Sequence, residues 1–179
     1  MKNSFALRST LMFACIAFIL SVPVSTGADD GEDPTITMRD DCDPTDPAWA
    51  PTGGCLLKQG DVNFAEFVGE LPSPLSPAFI GHQAWRNDPS YVEMKPGETL
   101  RVRNRGGRIH TFTEVANFGG GKVPVLNGPS TPAPECPESA DIAPGGRTEV
   151  SGLGAGNHRF QCCIHPWMRA LVKVKEKGN

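Results

Sequence analysis

Beyond its N-terminal stretch the chain has no apolar run long enough to cross a bilayer, no basic cluster and no internal repeat. The first absence excludes a membrane-spanning body, because a spanning helix needs roughly 20 apolar residues. The second argues against nucleic acid or another polyanion as partner, since nothing is grouped to neutralise phosphates. There is no serine-nucleophile motif and no phosphate-binding loop, so the common hydrolase and nucleotide chemistries have no foothold. Helical periodicity is also scarce.

At the N-terminus, Lys2 and Arg8 precede an apolar stretch from Leu11 to Val24, and the small residues Ser25, Thr26, Gly27 and Ala28 follow. This is the layout of a secretory signal over residues 1–28, cleaved after Gly27 or Ala28. An uncleaved anchor is disfavoured because the run is short and interrupted by Pro23. Cys15 has more hydrophobic residues after it and does not read as a lipid attachment site. The expectation is a periplasmic or secreted protein with no stable membrane insertion. All 20 acidic residues but only 15 of the 17 basic ones lie beyond the signal, which leaves 15 − 20 = −5. That mild acidity means solubility and, at most, weak steering toward basic partners. Five cysteines remain: Cys42, Cys55, Cys136, Cys162 and Cys163. An odd number in an oxidising compartment implies one thiol with another task.

Residues 29–59 are polar, acidic and rich in Pro and Gly, including the run Arg39-Asp40-Asp41-Cys42-Asp43. Such a composition predicts a flexible leader, stapled locally by Cys42 and Cys55; a calcium-binding acidic loop is the less favoured reading. Residues 60–179 form the expected domain. Phe64, Phe67, Val68 and Leu71 at helical spacing, with Asp61 as N-cap, predict a short helix. After it the pattern changes to short strands at 91–94, 99–104, 111–115, 147–151, 158–162 and 170–174, separated by turns such as Lys95-Pro96-Gly97 and Ala143-Pro144-Gly145-Gly146. This is the signature of an all-β sandwich. The long connection from Asn117 to Ser139 is unusual inside a compact domain and tends to be functional or stapled.

Chemistry concentrates in Cys162-Cys163-Ile164-His165-Pro166-Trp167-Met168, with His110 some way upstream. Two imidazoles and a thiolate with a weak axial thioether suit a copper electron-transfer site. His110, Cys162, His165 and Met168 are therefore the expected ligands of one copper ion. Side chains alternate along a strand, which puts His158, Phe160 and Cys162 on one face and leaves Cys163 free to pair with Cys136. Four strand steps, about 13 Å, separate His158 from Cys162, so His158 reads as a core or edge residue. His82 has no partner at ligand spacing. Trp167 reads equally as loop packing or as part of an apolar docking face around His165.

The chain resembles the plastocyanin-like cupredoxins, and its loop is most similar to that of amicyanin. Phe160, Cys162, His165 and Met168 match the family's aromatic-x-Cys-x-x-His-x-x-Met pattern, Pro166 and Arg169 fit the amicyanin version, and His110 takes the place of the upstream histidine. The resemblance covers roughly residues 78 to 175. It implies a Greek-key sandwich with a type 1 copper site, acting as a monomeric one-electron carrier toward a redox partner protein and not as an enzyme. Copper storage or delivery is the alternative. Paired histidines for a second copper, as in multicopper oxidases, are lacking. Three positions depart from the family. Thr111 stands where Asn is common. Ile164 stands where Pro is common, and its N–H, if it reached the Cys162 sulfur, would raise the reduction potential. Cys163, if it ligated, would make a tetrahedral zinc site.

Overall fold

The computed structural model describes residues 33–69, 85–127 and 130–176. The expected export signal, Leu71 and His82 lie outside the described residues. The elements in chain order are β1 (Thr35–Asp40), a 3-10 turn (Pro47–Thr52), α1 (Phe64–Gly69), β2 (Trp85–Asp88), β3 (Tyr91–Met94), β4 (Leu100–Asn104), β5 (Thr113–Val115), a second 3-10 turn (Pro124–Leu126), β6 (Arg147–Val150), β7 (Gly156–Gln161) and β8 (Arg169–Val174). Two four-stranded sheets result, ordered β2-β1-β4-β6 and β3-β8-β7-β5. The expected β-sandwich is what forms.

Each sheet buries one face, and the alternation of side chains decides which. Ile36 and Met38 on β1, Leu100 and Val102 on β4, and Val92 and Met94 on β3 point inward. Phe160 on β7, with Ala170, Val172 and Val174 on β8, completes a single core. Six of the eight strands lie where the alternation and turns place them. β1 and β2 do not.

β1 corrects the reading of residues 29–59 as a flexible leader. Thr35–Asp40 runs parallel to β4 and antiparallel to β2, in the interior of its sheet. Its six residues gain both sets of ladder bonds from strands distant in sequence, which outweighs the unfavourable average composition around them. The acidic residues that follow are occupied too. Asp41 pairs with Arg39 and Arg86. Asp43 accepts from Thr45. Asp46 caps the first 3-10 turn and also accepts from the Phe64 N–H at 2.7 Å. No convergent carboxylates are left for calcium among the described residues.

Residues 41–69, which follow β1, are folded as a cap. Cys42 and Cys55 are disulfide-bonded, and Trp49 inside that loop is buried. Trp49 donates its indole N–H to Val62 O at 3.1 Å. It stacks edge-on against Phe64 and Trp85, with ring centroids 5.0 Å away in each case. The short helix exists as expected, but Asn63 caps it, accepting from Glu66 N–H at 2.8 Å, and Asp61 does not. Cys136 and Cys163 are also joined, which ties the 117–139 connection to the end of β7.

Trp49→Ala empties the centre of this cap, and the expected destabilisation is about 3–5 kcal/mol. Denaturant unfolding measures it. A loss below about 1 kcal/mol would mean that the cap does not share the core's cooperativity.

Candidate metal centre

His110, Cys162 and His165 come together from two stretches of chain. His110 follows β4 and is held by a two-way backbone bridge with Ile142. Cys162 and His165 lie on the loop between β7 and β8, which Cys162 N–H closes on Met168 O at 2.9 Å. Met168 N–H donates to His165 O, and the Arg169 guanidinium donates to Pro166 O, each at 2.9 Å. The loop is thus held by its own backbone, with Arg169 buried behind it. Burial pulls that guanidinium's pKa down to about 10.

The three donor atoms face one another. His110 Nδ1 and His165 Nδ1 are 3.2 Å apart, and the Cys162 sulfur is 3.8 Å from the first and 3.7 Å from the second. His110 and Cys162 are fully buried, and His165 is half-buried. Met168 is fully buried in the same core cluster as Cys162.

Electrostatics sharpen the picture. Burial pushes the Cys162 thiol upward, but hydrogen bonds and charge from His110 and His165 outweigh it and hold the pKa well below the ordinary thiol value. Burial likewise opposes the imidazolium of His110, yet Asp40 and the Cys162 thiolate raise its pKa to about 9. Two backbone N–H groups also point at the sulfur, from Thr111 at 3.3 Å and His165 at 3.4 Å.

That last observation corrects the expectation for Ile164. The amide that reaches back within the loop belongs to His165, three residues after Cys162, a spacing at which a tight turn brings N–H onto the preceding side chain. Thr111 does more than replace an asparagine. Its N–H meets the sulfur, and its hydroxyl accepts the Cys163 N–H at 2.7 Å, so it clamps the two ligand segments together. Cys163 is consumed by its disulfide with Cys136, which removes the Cys2His2 zinc arrangement. His158 sits apart, bonded to Glu114 at 2.6 Å and to Gly154 O at 2.8 Å. Trp167 is buried against Phe67 and His165 and belongs to the packing.

Three contributors were not apparent from the sequence. Trp85 lies parallel to the His165 ring, with centroids 5.9 Å apart. Gln161, fully buried, accepts from Gly119 N–H at 3.0 Å and anchors the long connection beneath the loop. Asp40 stands 2.6 Å from His110 Nε2. Pairing across β1 and β2 decides where Asp40 and Trp85 fall, and no local pattern marks either.

The donor set fits a soft, small metal ion. Three such ligands in a plane, at about 2.0 Å for nitrogen and about 2.3 Å for sulfur, stand about 3.5 Å apart between nitrogens and about 3.7 Å between nitrogen and sulfur. The observed separations of 3.2, 3.7 and 3.8 Å agree to within a few tenths. A thiolate with two imidazoles is the ligand chemistry that copper favours in such sites.

No family model matches the chain, and no curated protein matches it. Among solved structures it is similar to a novel purple cupredoxin from Nitrosopumilus maritimus, with 18% identity and a TM-score of 0.41 over 80% of this chain and 100% of that one. It is also similar to a point variant of amicyanin with Cu(I), with 20% identity and a TM-score of 0.36 over 50% of this chain and 73% of that one. A reduced amicyanin variant gives 22% identity and a TM-score of 0.34 over 48% of this chain and 70% of that one. The β-sandwich itself stands on the strand pairing described above.

Proposed function

We propose that the chain holds one copper ion through His110, Cys162 and His165, with Met168 as a weak fourth ligand, and that it serves as an exported one-electron carrier. The observation that carries this reading is the buried Cys162 sulfur, flanked by two imidazole nitrogens at 3.7 and 3.8 Å and met by two amide N–H groups. Bound copper supplies the Cu(II)/Cu(I) couple, and the protein's part is to keep its donors still. Thr111, the Cys136–Cys163 disulfide and the backbone bonds within the loop supply that rigidity. His165 is the half-buried member of the donor triad, so electrons from a partner protein pass by its edge. Export accords with the two disulfides. No helix among the described residues is long and apolar enough to cross a membrane.

Two other readings are weaker. Asp40, His110 and Cys162 stand in the order of orienter, base and nucleophile, but the sulfur is fully buried and no substrate carbonyl could approach it. Storage or delivery of copper needs a route by which the ion leaves, whereas two of the three donors are fully buried in a clamped framework.

A Cu(II) titration of the purified protein is expected to produce an intense blue thiolate-to-copper band that saturates at one equivalent. Cys162→Ser abolishes the band and Cys163→Ser keeps it. Tight Cu(I) or Zn(II) binding without the band would overturn the carrier reading.

Met168→Leu nearly conserves volume and removes only the thioether. The blue band persists and the reduction potential shifts, as seen by spectroelectrochemistry. An unchanged potential would assign Met168 to packing alone.

A further inference from the structure

Among the described residues, Asp40 is the one carboxylate buried beside the donor cluster. It is 3% exposed, and each of its oxygens has a separate partner. Oδ1 lies 2.6 Å from His110 Nε2, and Oδ2 accepts the Arg108 N–H at 2.7 Å. The Arg108 guanidinium turns away to the carbonyls of Thr52 and Gly54. The neighbouring Arg39 pairs with Asp41 and Asp88. Among the described residues, therefore, the side chain that meets this carboxylate is the imidazole of His110.

The surroundings are shaped for the carboxylate. The turn after β4 folds over Asp40, and a Cβ at Gly106 would stand 2.6 Å from the carboxylate atoms. Only glycine leaves them room. Asn104 holds the turn by donating to Arg108 O at 2.7 Å and Ile142 O at 2.8 Å, while accepting from Gly106 N–H at 2.9 Å. β1 brings Asp40 here through its register beside β4, in which Met38 lies opposite Asn104. Burying a charge with so little neutralisation is expensive unless something positive faces it. A copper ion on the far side of the His110 ring would supply that charge.

We propose that Asp40 is a positioning and charge-tuning residue of the copper centre, which locks the His110 ring through Nε2 and biases the bound ion toward Cu(II). This rests on the copper reading above. A carboxylate on the outer nitrogen fixes the tautomer, so that Nδ1 faces the metal, and increases the ring's basicity. Its negative charge favours the more highly charged ion and lowers the reduction potential. It thereby opposes the two amide N–H groups on Cys162, which withdraw charge from sulfur and favour Cu(I).

The experiment is a redox titration of copper-loaded wild type and Asp40→Asn, with visible and EPR spectra of both. Asp40→Asn keeps the shape and removes the charge. The expected result is a blue site with a higher potential, its preference for Cu(II) over Cu(I) reduced about tenfold, equivalent to about 59 mV for one electron. Asp40→Ala also frees the ring, so the EPR hyperfine pattern changes and Cu(II) affinity falls about 10–100-fold. An unmoved or lowered potential in Asp40→Asn, with wild type blue, overturns this inference and leaves the copper reading standing. Wild type without the band sinks both. If Asp40→Asn does not fold, NMR of the wild-type Cu(I) and metal-free forms decides. A slowly exchanging, downfield His110 Nε2–H coupled to the carboxylate supports the role, and its absence overturns it.

Discussion

The structure depends on burying the Cys162 sulfur among groups that favour its charged form. Cys162 is fully buried, and burial alone would keep its proton in place. Hydrogen bonds and charge from His110 and His165 oppose it and hold the pKa well below the ordinary thiol value, and two amide N–H groups point at the same sulfur. Neither set is local in origin. Cys162 and His165 share a loop, but His110 and Thr111 arrive from the other end of a long insertion, and their approach requires β5 to pair with β7. The sandwich can be seen as the frame that brings these two stretches within hydrogen-bond reach. Its second disulfide, Cys136–Cys163, takes up the neighbouring thiol, so that Cys162 is the free thiol among the described residues.

The segment before β2 changes the character of the site. In place of a loose leader, the chain supplies an interior strand and then an aromatic cap of Trp49, Phe64 and Phe67 that meets Trp85 and Trp167. Trp85 lies flat along His165, which ties the cap to the ligand loop. The same segment delivers Asp40 to the back of His110. Asp40 at the end of β1 and Trp85 at the start of β2, which lie opposite each other in the ladder, therefore act on one imidazole each.

Two influences on the site act in opposite directions. The amide donors to sulfur, from Thr111 and His165, drain charge from the thiolate. The Asp40 carboxylate adds charge through His110. On the proposed copper reading, a potential inferred from the sulfur's donors alone would be too high. The expectation for Ile164 failed on a similar point: the residue types were right for an amide donor, but the turn decides which N–H reaches back.

By itself the sequence pointed to the loop that carries Cys162, His165 and Met168, because their spacing is set by a turn whose geometry is local. It also placed six of the eight strands among the described residues, through alternation and turn residues, and suggested the two cysteine pairings that the structure joins. Tertiary structure alone decided β1 and β2, whose ladder bonds come from distant strands. It also decided the burial of the cap and the partners of His110 and His165. Asp40 reads as one more acid in an acidic stretch until β1 is laid beside β4. Only then does the register set its carboxylate against an imidazole seventy residues away.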